Sequence, residues 1–268
     1  MKKITVDEAK NIELDILSYI DTFCKKNGIE YFINYGTLIG AVRHKGFIPW
    51  DDDIDISMTR ENYNKFINLF ENDSSKYKLL SLETQKEYYN NFIKIVDTST
   101  VIENTRVYTT YPSGVFIDIF PMDTFNDKKI IKLFYRLDSL KLLASSKRKN
   151  IIYQDSQIKD LIRQIIWFIL LPIPPKVFAI FMEKLTRKYY NPNGEFIAFL
   201  SSKLGEKEVF ERKIFEEIIT LDFEHLRLPA PQNYDFILTQ YYGDYMQFPP
   251  EEERGFGHEF DVYLIENK

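Results

Sequence analysis

Four aspartates fall within five positions of the stretch HKGFIPWDDDIDI, residues 44–56: Asp51, Asp52, Asp53 and Asp55. Like charges at this spacing repel, and Ile54 and Ile56 set apolar groups among them. Alternate side chains of a strand share a face, so Asp51, Asp53 and Asp55 are expected on one side and Ile54 and Ile56 on the other, toward a core. Three carboxylates on one face become tolerable around a hard divalent cation. Mg²⁺ prefers oxygen donors and commonly takes one or two carboxylates together with substrate phosphates. The pattern therefore predicts a site that holds metal against a phosphate, and Asp52 is expected to point away from it.

Competing readings of the acids fare unevenly. A solvated acidic turn does not account for the apolar alternation or for the glycine turn upstream. An EF-hand loop starting at Asp51 needs Gly at its sixth position and Glu at its twelfth, where the chain has Ile56 and Asn62. A phosphohydrolase of the D-x-D-x-T type needs an apolar strand before the acids, and GFIPW stands there instead. A D-x-D glycosyltransferase uses metal and a nucleotide diphosphate in the same way and stays open as an alternative.

The residues upstream narrow the choice. In YGTLIGAVRHKGFIPW, Gly36 and Thr37 open a short helix ahead of the acids. Glycine lets a backbone approach a phosphate closely, and helix N-terminal amides with the Thr hydroxyl bind anionic oxygens. Glycine plus a small hydroxyl, a short helix, then a strand bearing D-x-D resembles the nucleotidyltransferase layout. That layout adds a carboxylate from a neighbouring strand. SGVFIDIFPMD supplies Asp118 between Ile117 and Ile119, and a buried lone Asp is costly unless paired or metal-bound. Asp123 is expected to follow the strand and cap a turn. Lys94, in FIKIV, is a phosphate candidate, because a strand lysine among apolar neighbours needs a partner.

Four blocks together carry a more specific resemblance. YGTLIGAVRHKGFIPWDDDIDI, KIVDTST, GVFIDIFPMD and YYGDYMQFPPEEER resemble the signature of the LicD family, which also includes fukutin and fukutin-related protein. Residues 83–90 and 126–230 match nothing usable. The resemblance implies an enzyme that transfers phosphocholine from CDP-choline to a hydroxyl of a cell-surface glycan of the teichoic acid or lipopolysaccharide type, releasing CMP. Fukutin relatives imply another CDP-alcohol as donor. Outside that reading stand nucleotidyl or glycosyl transfer and a catalytically inactive nucleotide-binding partner. Asp53 and Asp55 are then Mg²⁺ ligands (Mn²⁺ the alternative ion), with Asp51 an added ligand or orienter. Asp118 is the third metal ligand or the general base. Gly36, Thr37, Arg43, Lys94 and Arg254 hold the nucleotide and its phosphates, and His258 closes the site with Arg254. Tyr241, Tyr242 and Tyr245 are read either as a choline cage, since aromatic faces attract quaternary ammonium, or as a helix end docked on the core. His225 is expected to be structural.

The elements that position these residues follow from periodicity. Residues 6–27 carry Ile12, Ile16, Ile20 and Phe23 on one helical face and end at Asn27–Gly28. Strands are expected at 29–34, 53–58, 77–82, 91–97 and 115–120. Helices are expected at 36–44, after a Thr59 cap, and at about 127–147, 157–171, 176–190 and 232–241. The fold class is α+β: a nucleotidyltransferase-like core with a mixed sheet over 1–125, and a mainly helical region over 126–268.

Composition bounds the rest. The 268-residue chain is 28% charged and 44% apolar, with a net charge of −5, a globular balance. No basic tail or repeat points to nucleic acid. One cysteine, Cys24, excludes an internal disulfide and a multi-Cys zinc site and is expected in a helix core. The N-terminus shows no signal-peptide pattern. Residues 161–185 are apolar but broken by prolines and too short for a spanning helix of ~20 residues. They are expected to be either buried core or a membrane or partner contact. The expected location is the cytoplasm, peripheral on the inner face of the membrane, with a lipid-linked glycan as acceptor.

Overall fold

A computed structural model describes residues 1–70, 76–104, 113–146, 157–254 and 260–265. The chain opens with β1 (Lys2–Lys3) and α1 (Val6–Asn27). Thr5 caps α1 reciprocally with Glu8: the Glu8 amide donates to Thr5 Oγ1 at 3.1 Å and the Thr5 amide to Glu8 Oε2 at 2.8 Å. Gly28, at φ +60°, ends the helix in the left-handed conformation that glycine adopts without strain. Next come β2 (Phe32–Ile33), α2 (Tyr35–Arg43), β3 (Asp55–Thr59), α3 (Arg60–Phe70), β4 (Tyr77–Leu80), β5 (Ile93–Asp97), β6 (Thr100–Asn104) and β7 (Phe116–Phe125). The second half carries α4 (Ile130–Ser145), α5 (Gln157–Leu170), α6 (Pro175–Tyr189), β8 (Phe196–Ala198), β9 (Phe210–Glu211), β10 (Ile218–Phe223), β11 (Leu226–Pro231), α7 (Tyr234–Tyr242) and β12 (Phe260–Leu264).

The central sheet runs β2-β3-β7-β5-β4, and β8 and β9 extend it from the far end of β7. Only the β3–β7 pair in it is parallel. Period-two alternation divides this sheet into two chemistries. Ile56 and Met58 of β3 and Ile117 and Ile119 of β7 pack with Ile16, Leu17, Ile20 and Phe66 of α1 and α3 in the main core. Met122 of β7 joins Ile237 and Tyr241 of α7 in a second cluster, against which Tyr35, Phe92 and Phe120 pack. The architecture is α+β, a mixed sheet with helices on its faces.

Several expected boundaries shift. The segment 53–58 becomes a strand only from Asp55, so Asp51, Asp52 and Asp53 stand on the irregular approach to β3, not on the strand itself. The proline and tryptophan before them hold that approach away from a ladder. Thr59 ends β3, and its hydroxyl accepts from the Asn62 side-chain amide at 3.1 Å. Asp123 lies inside β7, 2 % exposed, and takes both Arg60 Nε (2.7 Å) and Nη2 (2.8 Å). It is half of a buried ion pair and not a turn cap. Strand β6 pairs with β12 in a separate small sheet that the alternation did not reveal. Cys24 is buried in α1.

Candidate active site

Three neighbouring strands bring three chemical groups onto one rung. In register, Asp55 of β3 stands beside Asp118 of β7, and Asp118 beside Lys94 of β5. Lys94 Nζ reaches Asp118 Oδ1 at 2.6 Å and Oδ2 at 2.9 Å, and lies 3.3 Å from the centroid of the Phe116 ring. The partner that a strand lysine requires is therefore the aspartate expected to need one. Two side chains separated by 24 positions solve each other's burial.

Helix α2 holds the acids from the other side. The Thr37 hydroxyl, buried, accepts from the Asp55 amide at 2.8 Å. The Asn34 amide donates to the Asp55 carbonyl at 3.1 Å, so the backbone of Asp55 is clamped at both of its polar groups. At Gly36 a Cβ would sit 2.8 Å from Asp51 Oδ2, so glycine lets that carboxylate lie against the helix start and any side chain there would push it aside. Tyr35 just before it has φ +47°, a conformation that bulky residues rarely adopt. It is held there by its hydroxyl, which donates to Glu208 Oε1 at 2.8 Å, and by ring contacts with Phe120 and Tyr241.

The electrostatics are those of crowded, half-buried acids. Burial, and then the charge of Asp53, push the Asp51 carboxyl up to about 7. Burial, followed by the charges of Asp53, Asp118 and Asp51, holds Asp55 well above the usual carboxylate range, with Lys94 opposing. The donor set is all oxygen and short of compensating cations, a chemistry that fits a hard divalent ion. Among the described residues, no three His, Cys, Asp or Glu groups already converge as a finished cage.

The comparisons with known proteins agree on one family. The family model described as LicD/FKTN/FKRP, nucleotidyltransferase domain, matches residues 28–163. A Haemophilus influenzae protein named lipopolysaccharide cholinephosphotransferase LicD is 34% identical over 272 residues, which cover 99% of this chain and all of that one. Uncharacterized proteins of Rickettsia typhi and Rickettsia prowazekii are each 41% identical over 63 residues, 23% of this chain. The chain belongs to the LicD family.

The remaining expected site residues of this LicD-family chain fall in three places. Asp52 lines a separate cavity of about 530 Å³ together with Glu13 and Asp261. Arg43 and Arg254 come together at a cluster beside the acidic loop. Arg43 lies 5.7 Å from the Trp50 ring and 4.8 Å from Phe248; Arg254 lies 5.1 and 5.6 Å from the same rings. His44 stacks on Phe248 at 5.7 Å. Arg43 donates to the Tyr245 carbonyl at 2.7 Å, and among the described residues neither guanidinium forms an ion pair. His258 lies outside the described residues, and His225 is exposed at the β10–β11 turn.

The three tyrosines separate. Tyr241 is 2 % exposed and donates to Glu208 Oε1 at 3.1 Å, and Tyr245 donates to Asp235 Oδ1 at 2.7 Å. Both dock the α7 end on the core. Tyr242 is 43 % exposed, and its hydroxyl is raised by burial and then by the charges of Asp55, Glu208, Asp51 and Asp53. Two further carboxylates were not anticipated. Glu13 is buried in α1, and burial with the charges of Asp53 and Asp52 holds it well above its ordinary range. Its signal was there: it sits within the apolar stripe between Ile12 and Ile16. Glu208 joins Tyr35 and Tyr241 from a position 173 residues beyond Tyr35, which no local pattern connects.

Proposed function

We propose that this chain transfers phosphocholine from CDP-choline to a hydroxyl of a cell-surface glycan, of the lipopolysaccharide or teichoic acid type, and releases CMP. That it is a phosphotransferase rests on family membership and on near-full-length similarity to an enzyme named a cholinephosphotransferase. The observation that carries the mechanism is the Asp55–Asp118–Lys94 rung with Asp51 and Asp53 at its edge.

In the reaction the acceptor hydroxyl oxygen attacks the phosphorus bearing choline, and the bond from that phosphorus to the CMP oxygen breaks. The hydroxyl proton passes to a carboxylate, for which Asp118, oriented by Lys94, is the candidate. CMP departs with the electron pair of the broken bond. Asp51, Asp53 and Asp55 are the residues that would hold Mg²⁺ or Mn²⁺, with Asp118 a further ligand in the alternative where it is not the base. Such an ion, when bound, supplies neutralisation of the diphosphate and polarisation of its oxygens. Arg43 and Arg254, stacked on Trp50 and Phe248 without a carboxylate partner among the described residues, would receive the diphosphate or the leaving CMP, a reading that their unneutralised charge supports. Tyr242 is the aromatic residue of the three that could meet choline. Positioning and electrostatic stabilisation carry most of the catalysis in phosphoryl transfer. The reading takes the protein as cytoplasmic, meeting a lipid-linked acceptor at the inner membrane face.

Thermal unfolding with ligands tests the donor. In Mg²⁺, CDP-choline should raise Tm, by the equivalent of about 2.7 kcal/mol at a hundredfold excess over Kd, while CTP and UDP-sugars should not. Stabilisation by a UDP-sugar alone would favour glycosyl transfer, and by another CDP-alcohol in preference to CDP-choline, a different alcohol phosphate.

A further inference from the structure

Helix α5 is turned inside out. Its apolar side chains Ile158, Leu161, Ile162, Ile165, Phe168 and Ile169 are all more than half exposed, reaching 72 % at Ile158 and 70 % at Phe168. Its polar side faces the protein. Asp160 is 4 % exposed and pairs with Arg163 at 3.2 Å, and Trp167 Nε1 donates to the Ser146 carbonyl at 3.0 Å. An amphipathic helix on a water-soluble surface does the reverse. Helix α6 continues the face with Val177, Ile180 and Phe181, and exposed Leu171 lies at the turn between them. The two helices meet at 89°, and neither is long and apolar enough to cross a membrane by itself. The exposed area is far more than scattered surface apolar groups require.

Charge says what covers it. Residues 157–190 hold six Lys and Arg against two Asp and Glu, a local balance of +4 in a chain of net charge −5, so the rest carries −9. On α5 and α6 themselves Lys159, Lys184, Arg187 and Lys188 are exposed, whereas the only carboxylates, Asp160 and Glu183, are turned inward to Arg163 and Arg60. A broad apolar face edged with basic residues, with no exposed acid among the described residues of α5 and α6, is the pattern of a helix lying in an anionic lipid surface. A second copy packed face to face on this patch would set the same basic rim against itself, like charge against like, whereas anionic headgroups neutralise it.

We propose that α5, α6 and the Leu171 turn between them lie in the interfacial layer of a bilayer containing anionic lipids, holding the chain on the membrane without spanning it. This rests on exposure and charge, and stands apart from the reaction assigned to the aspartates.

Sedimentation of the full chain with vesicles tests it. Wild type should pellet with vesicles of equal parts phosphatidylcholine and phosphatidylglycerol, less with phosphatidylcholine alone, and less at high salt. The variant I165D/F168D changes two exposed side chains, so Tm should hold while partitioning falls ~10-fold or more. K184E/K188E should lose the preference for phosphatidylglycerol and keep the fold. Wild type left in the supernatant, or I165D/F168D pelleting as well as wild type, would overturn the proposal. So would a concentration-dependent dimer that I165D/F168D dissolves, since the face would then belong to a second copy. CMP release from CDP-choline with a soluble acceptor, measured alongside, should be equal in wild type and I165D/F168D; its absence from both would count against the proposed reaction and not against the membrane contact.

Discussion

Asp53 and Asp55 repel Asp51 and one another across a site whose cation, Lys94, is already engaged by Asp118. Removing one charge should relieve the fold while disabling the chemistry. Asp53→Asn is expected to abolish CMP release from CDP-choline with Tm unchanged or raised; full activity in the variant would contradict the metal assignment. Glu208 gives a second test, away from the acids. Burial pushes its carboxyl up to about 7 against the hydrogen bonds it accepts. A carboxyl raised in the folded state costs stability as pH climbs from its unfolded value near 4.5 toward and past 7, because the folded protein resists releasing the proton. Glu208→Gln keeps an oxygen acceptor for Tyr35 and Tyr241 without that charge. Its Tm relative to wild type should therefore improve between pH 5 and pH 8, and a pH-independent difference would show that Glu208 is not the group responsible.

At the scale of elements, α2 is the part that sets the aspartates in place. A Cβ at Gly36 would press on the Asp51 carboxylate at 2.8 Å. Because that carboxylate is the end of a side chain, it can move, so Gly36→Ala should cost little stability but ~10²-fold in kcat/KM, the penalty of a misplaced reacting group. Wild-type kinetics would mean that Asp51 need not stand where it does. The opposite end of the sheet is structural. Arg60 joins α3 to Asp123 of β7 and to Glu183 of α6. Arg60→Ala should cost about 3–5 kcal/mol in denaturant unfolding by stranding Asp123, and Arg60→Met with Asp123→Leu should recover most of it. Additive losses in the double variant would show that the pair is not coupled. The helices that sequence reveals well are those with both cap and stripe, such as α1 between Thr5 and Gly28. The strand of the aspartates was legible from Asp55 onward only. The alternation D-I-D-I is the same on either side of that boundary, and the break comes from the chain having to leave α2 and enter the sheet. Asp118 could be read from its apolar neighbours, but its pairing with Lys94 depends on strand order, which periodicity does not carry. Glu208 reaches Tyr35 through long-range packing and had no local signature; Phe248 lay within the block YYGDYMQFPPEEER, but nothing in that block tied it to Arg43 and Trp50.

At the scale of the whole molecule two features of opposite character stand apart: the acidic cluster on the sheet, and the basic, apolar face of α5 and α6. The apolar run at 161–185 was legible as core or as a membrane or partner contact, and its exposure in three dimensions sets buried core aside for α5, which hydropathy alone could not do. At the acidic cluster stands the proposed phosphocholine transfer. Its most direct test is to incubate the purified chain with CDP-choline, Mg²⁺ and a glycan acceptor and to follow CMP and acceptor-bound phosphocholine together. Equal amounts of the two products, abolished by Asp53→Asn, are the predicted result. Untouched CDP-choline, with pyrophosphate released from a nucleoside triphosphate or UDP released from a UDP-sugar, would contradict it.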